Sequence, residues 1–176
     1  MDKYFNNFAA RLTNAPRYLN NNGIKKAFRD LKKYYSGSTI INFHKKEKVG
    51  LWKLPLQWEV DKGILYDPVG LKISDYLRNP LELFSNSVSF KGKIKKSDLL
   101  ENHIYSDKNR PNIIPFHYQN QFREKTKEWG FCVPYKKLKK FKNGAYKVDI
   151  QTSFKKTDME SCYYVKNGKS KNKILF

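Results

Sequence analysis

The sequence predicts an α+β fold, with helices first, a β-rich middle, and strands again towards the C-terminal end. Three observations carry that prediction. Ile24, Ala27, Phe28, Leu31 and Tyr35 recur at i, i+3, i+4, i+7 and i+11, the apolar stripe of an amphipathic helix. Trp52, Leu54, Leu56 and Trp58 recur at a spacing of two, and so do Tyr146, Val148 and Ile150, the pattern of half-buried strands. Asp67-Pro68-Val69-Gly70 and Asn143-Gly144 punctuate these runs with turn chemistry, in which proline presets φ and glycine supplies a positive φ.

Taken in order, residues 1–14 form a short amphipathic helix with Tyr4, Phe5, Phe8 and Leu12 near one stripe. Asn14-Ala15-Pro16 and Asn20-Asn21-Asn22-Gly23 break it. The second helix runs from about Ile24 to Tyr35, with Asn22 as its cap and Ser36-Gly37-Ser38 as its stop. A strand follows over Thr39 to His44. The stretch LWKLPLQWEVDKGILYDPVG, Leu51 to Gly70, then organises the middle: Trp52, Leu54, Leu56 and Trp58 share one face if the chain is extended. Pro55 cannot donate to a sheet ladder, which places the segment at an edge, a bulge or a break.

Leu71 to Leu77 reads as a further strand, and Leu81 to Phe90 alternates as strands that Gly92 ends. Ser97-Asp98 opens a short helix through Ile104, a helical piece spans about Gln119 to Glu128, and a basic one covers Tyr135 to Phe141. Strands at Tyr146 to Gln151 and Ser161 to Val165 complete the reading. The chain stops in Lys173-Ile174-Leu175-Phe176, a strand just starting, which reads as a truncation.

The 176 residues carry a net charge of +20. A basic stripe that neutralises phosphates is one reading. However, 30 of the 36 basic residues are lysine, spread through every segment, and phosphate and base readers favour the arginine fork. A solvated lysine coat is the plainer reading, so nucleic acid is not the expected partner. The densest basic cluster is Lys136, Lys137, Lys139, Lys140 and Lys142. No run of eighteen apolar residues indicates a membrane span, and the N-terminus lacks a continuous apolar signal core. Cys132 and Cys162 follow no metal spacing and read as reduced cytoplasmic thiols.

Candidates for chemistry are few. There is no phosphate-cradling glycine loop, HExxH, CxxC or nucleophile elbow. His44, His103 and His117 lie far apart, each more readily a surface or core histidine than a zinc ligand. Cys132 sits beside Trp129 and Phe131 and reads as a buried inert thiol. Asp67 and Asp75 are open to a carboxylate pairing, although Asp before Pro is ordinary turn chemistry. Trp52, Trp58, Tyr66 and Trp129 either stack on a sugar or base, or fill the core.

In fixed order, the words WKLPLQWEVDKGILYDPVGLKISDY, LELFSNSVSFKGKIKKSDLLENH, RPNIIPFHY, WGFC and NGAYKVDIQTSF make the chain similar to the bacterial aminopeptidase-like proteins of polysaccharide-biosynthesis loci. Those are zinc-exopeptidase-fold proteins with an inserted β-rich domain of unknown function. Trp52, Pro55, Trp58, Asp67, Pro68, Pro115, Trp129, Gly130, Phe131 and Cys132 carry most of the resemblance, as structural anchors of the family motif.

The resemblance implies a peptidase-like helical part over residues 1–45, an inserted jelly-roll-like domain over 46–132, and the first strands of an incomplete α/β peptidase-like sheet over 133–176. It also implies that the family's zinc ligands, beginning with a Cys-His-Pro stretch, lie beyond Phe176. The chain itself would then hold no metal-ligand or catalytic residue and no cofactor, and its partners would be the missing C-terminal half or a second copy. Gln151 stands where relatives usually have Asp, and Asp158 to Tyr163 departs from the family's Leu-Thr-Tyr-Gly-Glu wording. A glycan- or protein-binding role for the β-rich part, and nucleic-acid binding through Lys136 to Lys142, are the alternatives.

Overall fold

The computed structural model describes residues 3–13, 15–45, 50–122 and 127–165. Helix α1, Lys3–Thr13, lies against α2, Asn22–Tyr34, where the Phe8 and Tyr34 rings are 4.4 Å apart. The cap of α2 is Asn21 rather than the expected Asn22: its Oδ1 accepts from the Ile24 amide at 2.8 Å. Gly23 is required there, because a Cβ would fall 1.8 Å from the Pro16 carbonyl oxygen.

Strand β1, Thr39–Phe43, pairs antiparallel with the last described strand, β8, Met159–Tyr163. An ion pair from Arg29 to Glu160 at 3.0 Å ties α2 to this ribbon. Between β1 and β8 in sequence lies the main sheet. Its strands are β2, Gln57–Tyr66; β3, Lys72–Asp75; β4, Phe90–Lys95; and β7, Ala145–Lys155, in the spatial order β3-β2-β7-β4, all antiparallel. A short parallel pair, β5 at Ile104–Tyr105 and β6 at Phe131–Cys132, lies beyond helix α3, Lys96–Asn102. Helix α4, Tyr135–Leu138, precedes β7.

One face of the main sheet builds the core. Trp58, Leu65, Tyr146, Val148 and Ile150 point into it and meet Leu83, Leu99, Phe131 and Val133 from the connections. Fully burying side chains of this size is worth roughly 1.5–3 kcal/mol each. A bulge at Asp61 re-phases β2, so that both Trp58 and Leu65 reach the same side although they stand seven positions apart. The opposite face carries Lys62, Tyr66, Lys91, Lys93, Lys147 and Asp149.

Several sequence expectations are corrected. Residues 53–56 are not a strand, and the face expected for Trp52, Leu54, Leu56 and Trp58 does not form: Trp52 is 73% exposed and Trp58 1%. Pro55 breaks the ladder, its carbonyl accepting from the Asn20 amide side chain instead. The run expected as strands from Leu81 to Phe90 begins as a 3-10 turn at Pro80–Glu82, because Asn79 caps the Leu81 amide at 3.0 Å. It continues as irregular chain whose Ser85 and Ser87 hydroxyls donate to the His117 and Phe84 carbonyls, and Asn86 takes a φ of 58°. Gly92 lies inside β4 rather than ending a strand.

The expected boundary at 132/133 is not a sheet boundary. β7 was expected in the C-terminal peptidase-like sheet, yet it pairs along its length with β2 and β4. Buried Tyr146, Val148 and Ile150 can leave water only against the core that β2 and β4 share. The strand expected at 160–166 is β8, paired with the N-terminal β1. The expectations for Asn167-Gly168 and for a strand over Lys173 to Phe176 lie outside the described residues.

Candidate functional site

The resemblance implies zinc, and the fit of the chain's own donors is a matter of where they lie. His103 is stacked on Trp129, ring centroids 3.7 Å apart, and its Nδ1–H donates to the Trp129 carbonyl at 2.8 Å. His117 is stacked on Phe84 at 3.9 Å. His44 stands 4.0 Å from Asp158 at the end of β1. Cys132 is fully buried, and loss of water pushes its thiol up to about 12, so it stays protonated. Among the described residues no three His, Cys, Asp or Glu side chains converge to hold a metal ion. These donors do not fit a zinc centre.

The two candidate aspartates have separate employment. Asp67 Oδ1 accepts from the Val69 and Leu71 amides at 3.0 and 2.8 Å, the side-chain-closed turn its sequence predicts. Asp75 accepts from the Leu77 amide and from Lys72. The anchor residues are mostly architectural. Trp58 donates from its indole to the Ser87 carbonyl at 3.0 Å, and Gly130 admits the Phe84 ring and the His103 carbonyl to within 2.4 and 2.7 Å of where a Cβ would stand. Phe131 and Cys132 fill the core, and Trp129 is sandwiched between His103 and Phe90. Pro115 is buried, and Pro55 half-buried.

What the fold assembles instead is a basin at one end of the outer sheet face, about 460 Å3 in volume and open to solvent. Its walls are Tyr66 from β2, Asp67 and Pro68 from the β2–β3 turn, and Lys93 and Lys147 from β4 and β7. Lys93 and Lys147 are partners across the ladder, and Tyr66 is the partner of Lys147 on the other side. Lys147 Nζ stands 5.6 Å from the centre of the Tyr66 ring. Beside it, Lys96 donates to the Phe141 carbonyl and Asn143 Oδ1, and Gly144, with a φ of 132°, lets the turn close on Pro68. Lys142 stands 3.7 Å from Asp67 Oδ2.

The sequence therefore singles out Tyr66, Asp67 and Pro68 in this basin, and Lys142 beside it, but not Lys93 and Lys147. Both lysines fall on outward parity in their strands. Their meeting depends on the β4–β7 register across more than fifty residues, for which no local pattern exists. Within the predicted basic patch, Lys136, Lys139 and Lys140 are exposed around α4, and Lys142 turns to Asp67.

Farther along the same face Lys62 donates to buried Asp149 at 2.5 Å. The Lys62 bond holds the Asp149 carboxyl below the ordinary carboxylate range, and the bond to Asp149 raises Lys62. At the other end of the molecule a small apolar cleft lies between α2 and β8, lined by Leu31, Tyr35, Cys162 and Tyr164.

Comparison with known proteins gives two matches. The family described as a domain of unknown function, DUF2172, matches residues 57–153, the stretch from the start of β2 to near the end of β7. A crystal structure of a candidate peptidase from Clostridium acetobutylicum is similar with a TM-score of 0.74 at 21% identity. That likeness covers 88% of this chain and 35% of the neighbour, so the chain spans about a third of the neighbour's length. No curated protein matches.

Proposed function

The chain belongs to the DUF2172 family, and from that premise we propose that it is the N-terminal part of an aminopeptidase-like, zinc-peptidase-fold protein linked to polysaccharide biosynthesis. In this reading the family domain is an accessory unit set into the peptidase fold. The chain alone does not hydrolyse peptides, because the zinc-binding side chains belong to the part of the fold that follows. The observation that supports it is the pairing of β1 with β8: segments on either side of the family domain close on each other, as the two halves of a host fold must when a unit is inserted between them.

The likeness of 88% of the chain to 35% of a structure titled as a peptidase agrees with this. The host sheet is represented among the described residues by two strands only, and a two-stranded ribbon is marginal in water. Exposed Ile41, Tyr163 and Tyr164 beside it mark where the following part, or a second copy, would cover the ribbon. No described helix is long and apolar enough to cross a membrane.

The test is direct. Purified chain with added zinc and aminoacyl p-nitroanilides is expected to show no turnover above a buffer control. Chelator-sensitive hydrolysis would sink the reading. A second reading, a binding module, is favoured by the basin at Tyr66, Lys93 and Lys147; the same assays leave it untouched.

A further inference from the structure

We propose that the basin at the end of the outer sheet face is a binding site for a compact phosphomonoester, whose phosphate sits between Lys93 and Lys147 and whose organic body lies against Tyr66 and Pro68. The inference does not rest on the peptidase-like reading. Like charges directly opposite on neighbouring strands destabilise a sheet. Lys93 and Lys147 are such a pair, both exposed and on one face, and neither has a carboxylate partner among the described residues. A dianion between them removes the repulsion and gains two charge-assisted hydrogen bonds.

One acid, Asp67, lines the site. Its charge is partly offset there: one oxygen accepts two backbone amides and the other faces Lys142 at 3.7 Å. The volume, about 460 Å3, suits one ring-sized ligand rather than a polymer. A single-stranded nucleic acid needs successive aromatic platforms, and among the described residues Tyr66 is the one ring lining the basin. The walls are preformed, since the Asp67 turn is closed by its own side chain and the Gly144 turn packs on Pro68.

Binding to the full chain is measured by calorimetry and by amide chemical-shift titration, using glucose 1-phosphate, phenyl phosphate, inorganic phosphate, glucose and a short oligothymidylate. Saturable binding of at least one phosphomonoester is expected, tighter than inorganic phosphate, with shifts centred on Tyr66, Lys93 and Lys147 and no saturation by glucose. The two ester arms separate a sugar body from an aromatic one.

The double variant Lys93→Gln/Lys147→Gln is expected to weaken the ester by about tenfold or more. Tyr66→Ala is expected to abolish the preference for ester over inorganic phosphate. Since both lysines are exposed and the substitution removes their mutual repulsion, the double variant is expected to melt at or slightly above the parent's temperature; single Lys147→Gln serves if it melts lower. Equal affinity of the variant, equal affinity of inorganic phosphate and both esters, absence of saturation, or tighter binding of oligothymidylate would each overturn the proposal.

Discussion

His103 lies flat on Trp129, the rings 5° from parallel, and the same histidine donates its Nδ1 proton to the carbonyl of the residue it covers. This histidine is locked as packing, and it joins the strand β6 to the end of α3. A zinc site needs several donors meeting at one point, and among the described residues no three His, Cys, Asp or Glu side chains do. Added zinc is therefore expected to leave the melting temperature of the chain unchanged in differential scanning calorimetry. Zinc at a hundred times its dissociation constant would add about 2.7 kcal/mol, which a clear upward shift would reveal.

The two tryptophans of the 51–70 stretch are expected to part company. Trp58→Ala removes a fully buried ring and its bond to Ser87, and should cost about 3–5 kcal/mol in urea unfolding. Trp52→Ala, at an exposed position, should stay within about 0.5 kcal/mol of the parent. Similar losses for the two would contradict the described packing.

That contrast marks what the sequence could show. Spacing of two put Trp52 and Trp58 on one face only if the chain between them stayed extended, and Pro55 decided that it did not. Helix α2 was legible because its stripe is local and tertiary packing agreed with it. The membership of β7 was not, because alternation in Tyr146, Val148 and Ile150 says that a strand exists and nothing about which strands flank it. The basin was half legible for the same reason: Asp67 and Pro68 announce a turn, while Lys93 and Lys147 become neighbours through register alone.

Gly130→Ala should destabilise by about 1–3 kcal/mol, since a methyl group there meets the Phe84 ring and the rigid carbonyl of His103 at once. Gly70→Ala is a useful companion. It meets no atom within 4 Å but carries a φ of +89°, so its cost is backbone strain rather than overlap. Chemical unfolding of both variants separates the two causes when a second substitution, Phe84→Leu, is added: the added cost of Gly130→Ala should shrink in that background, leaving the overlap with the His103 carbonyl, and that of Gly70→Ala should not change.

The Lys62–Asp149 bond makes a pH prediction with a definite sign. Asp149 has a lowered pKa in the fold because Lys62 donates to it, so its stabilisation is present above the ordinary carboxylate pKa of about 4 and is lost as pH falls through the folded value. Lys62 is raised by the same bond, so its part is present below about 10.4 and is lost as pH rises through the folded value. Asp149→Asn is accordingly expected to lower stability at neutral pH and to flatten the acid limb of a melting-temperature profile. A parallel profile for parent and variant would contradict it.

Thiol chemistry should distinguish the two cysteines. Burial holds Cys132 protonated with a pKa near 12, whereas Cys162 is partly exposed at the edge of the β1–β8 ribbon. Iodoacetamide at pH 8 on the folded chain is expected to add one label, on Cys162, and a second only after denaturation; peptide mass mapping reads the order.

Gln57, where β2 begins, stands directly across the ladder from Lys155, where β7 ends. Neighbouring strands are about 4.8 Å apart, so almost a hundred residues depart from and return to nearly one point. Ends this close are the geometry in which a segment can be set into a host chain with the host's own connections left in place.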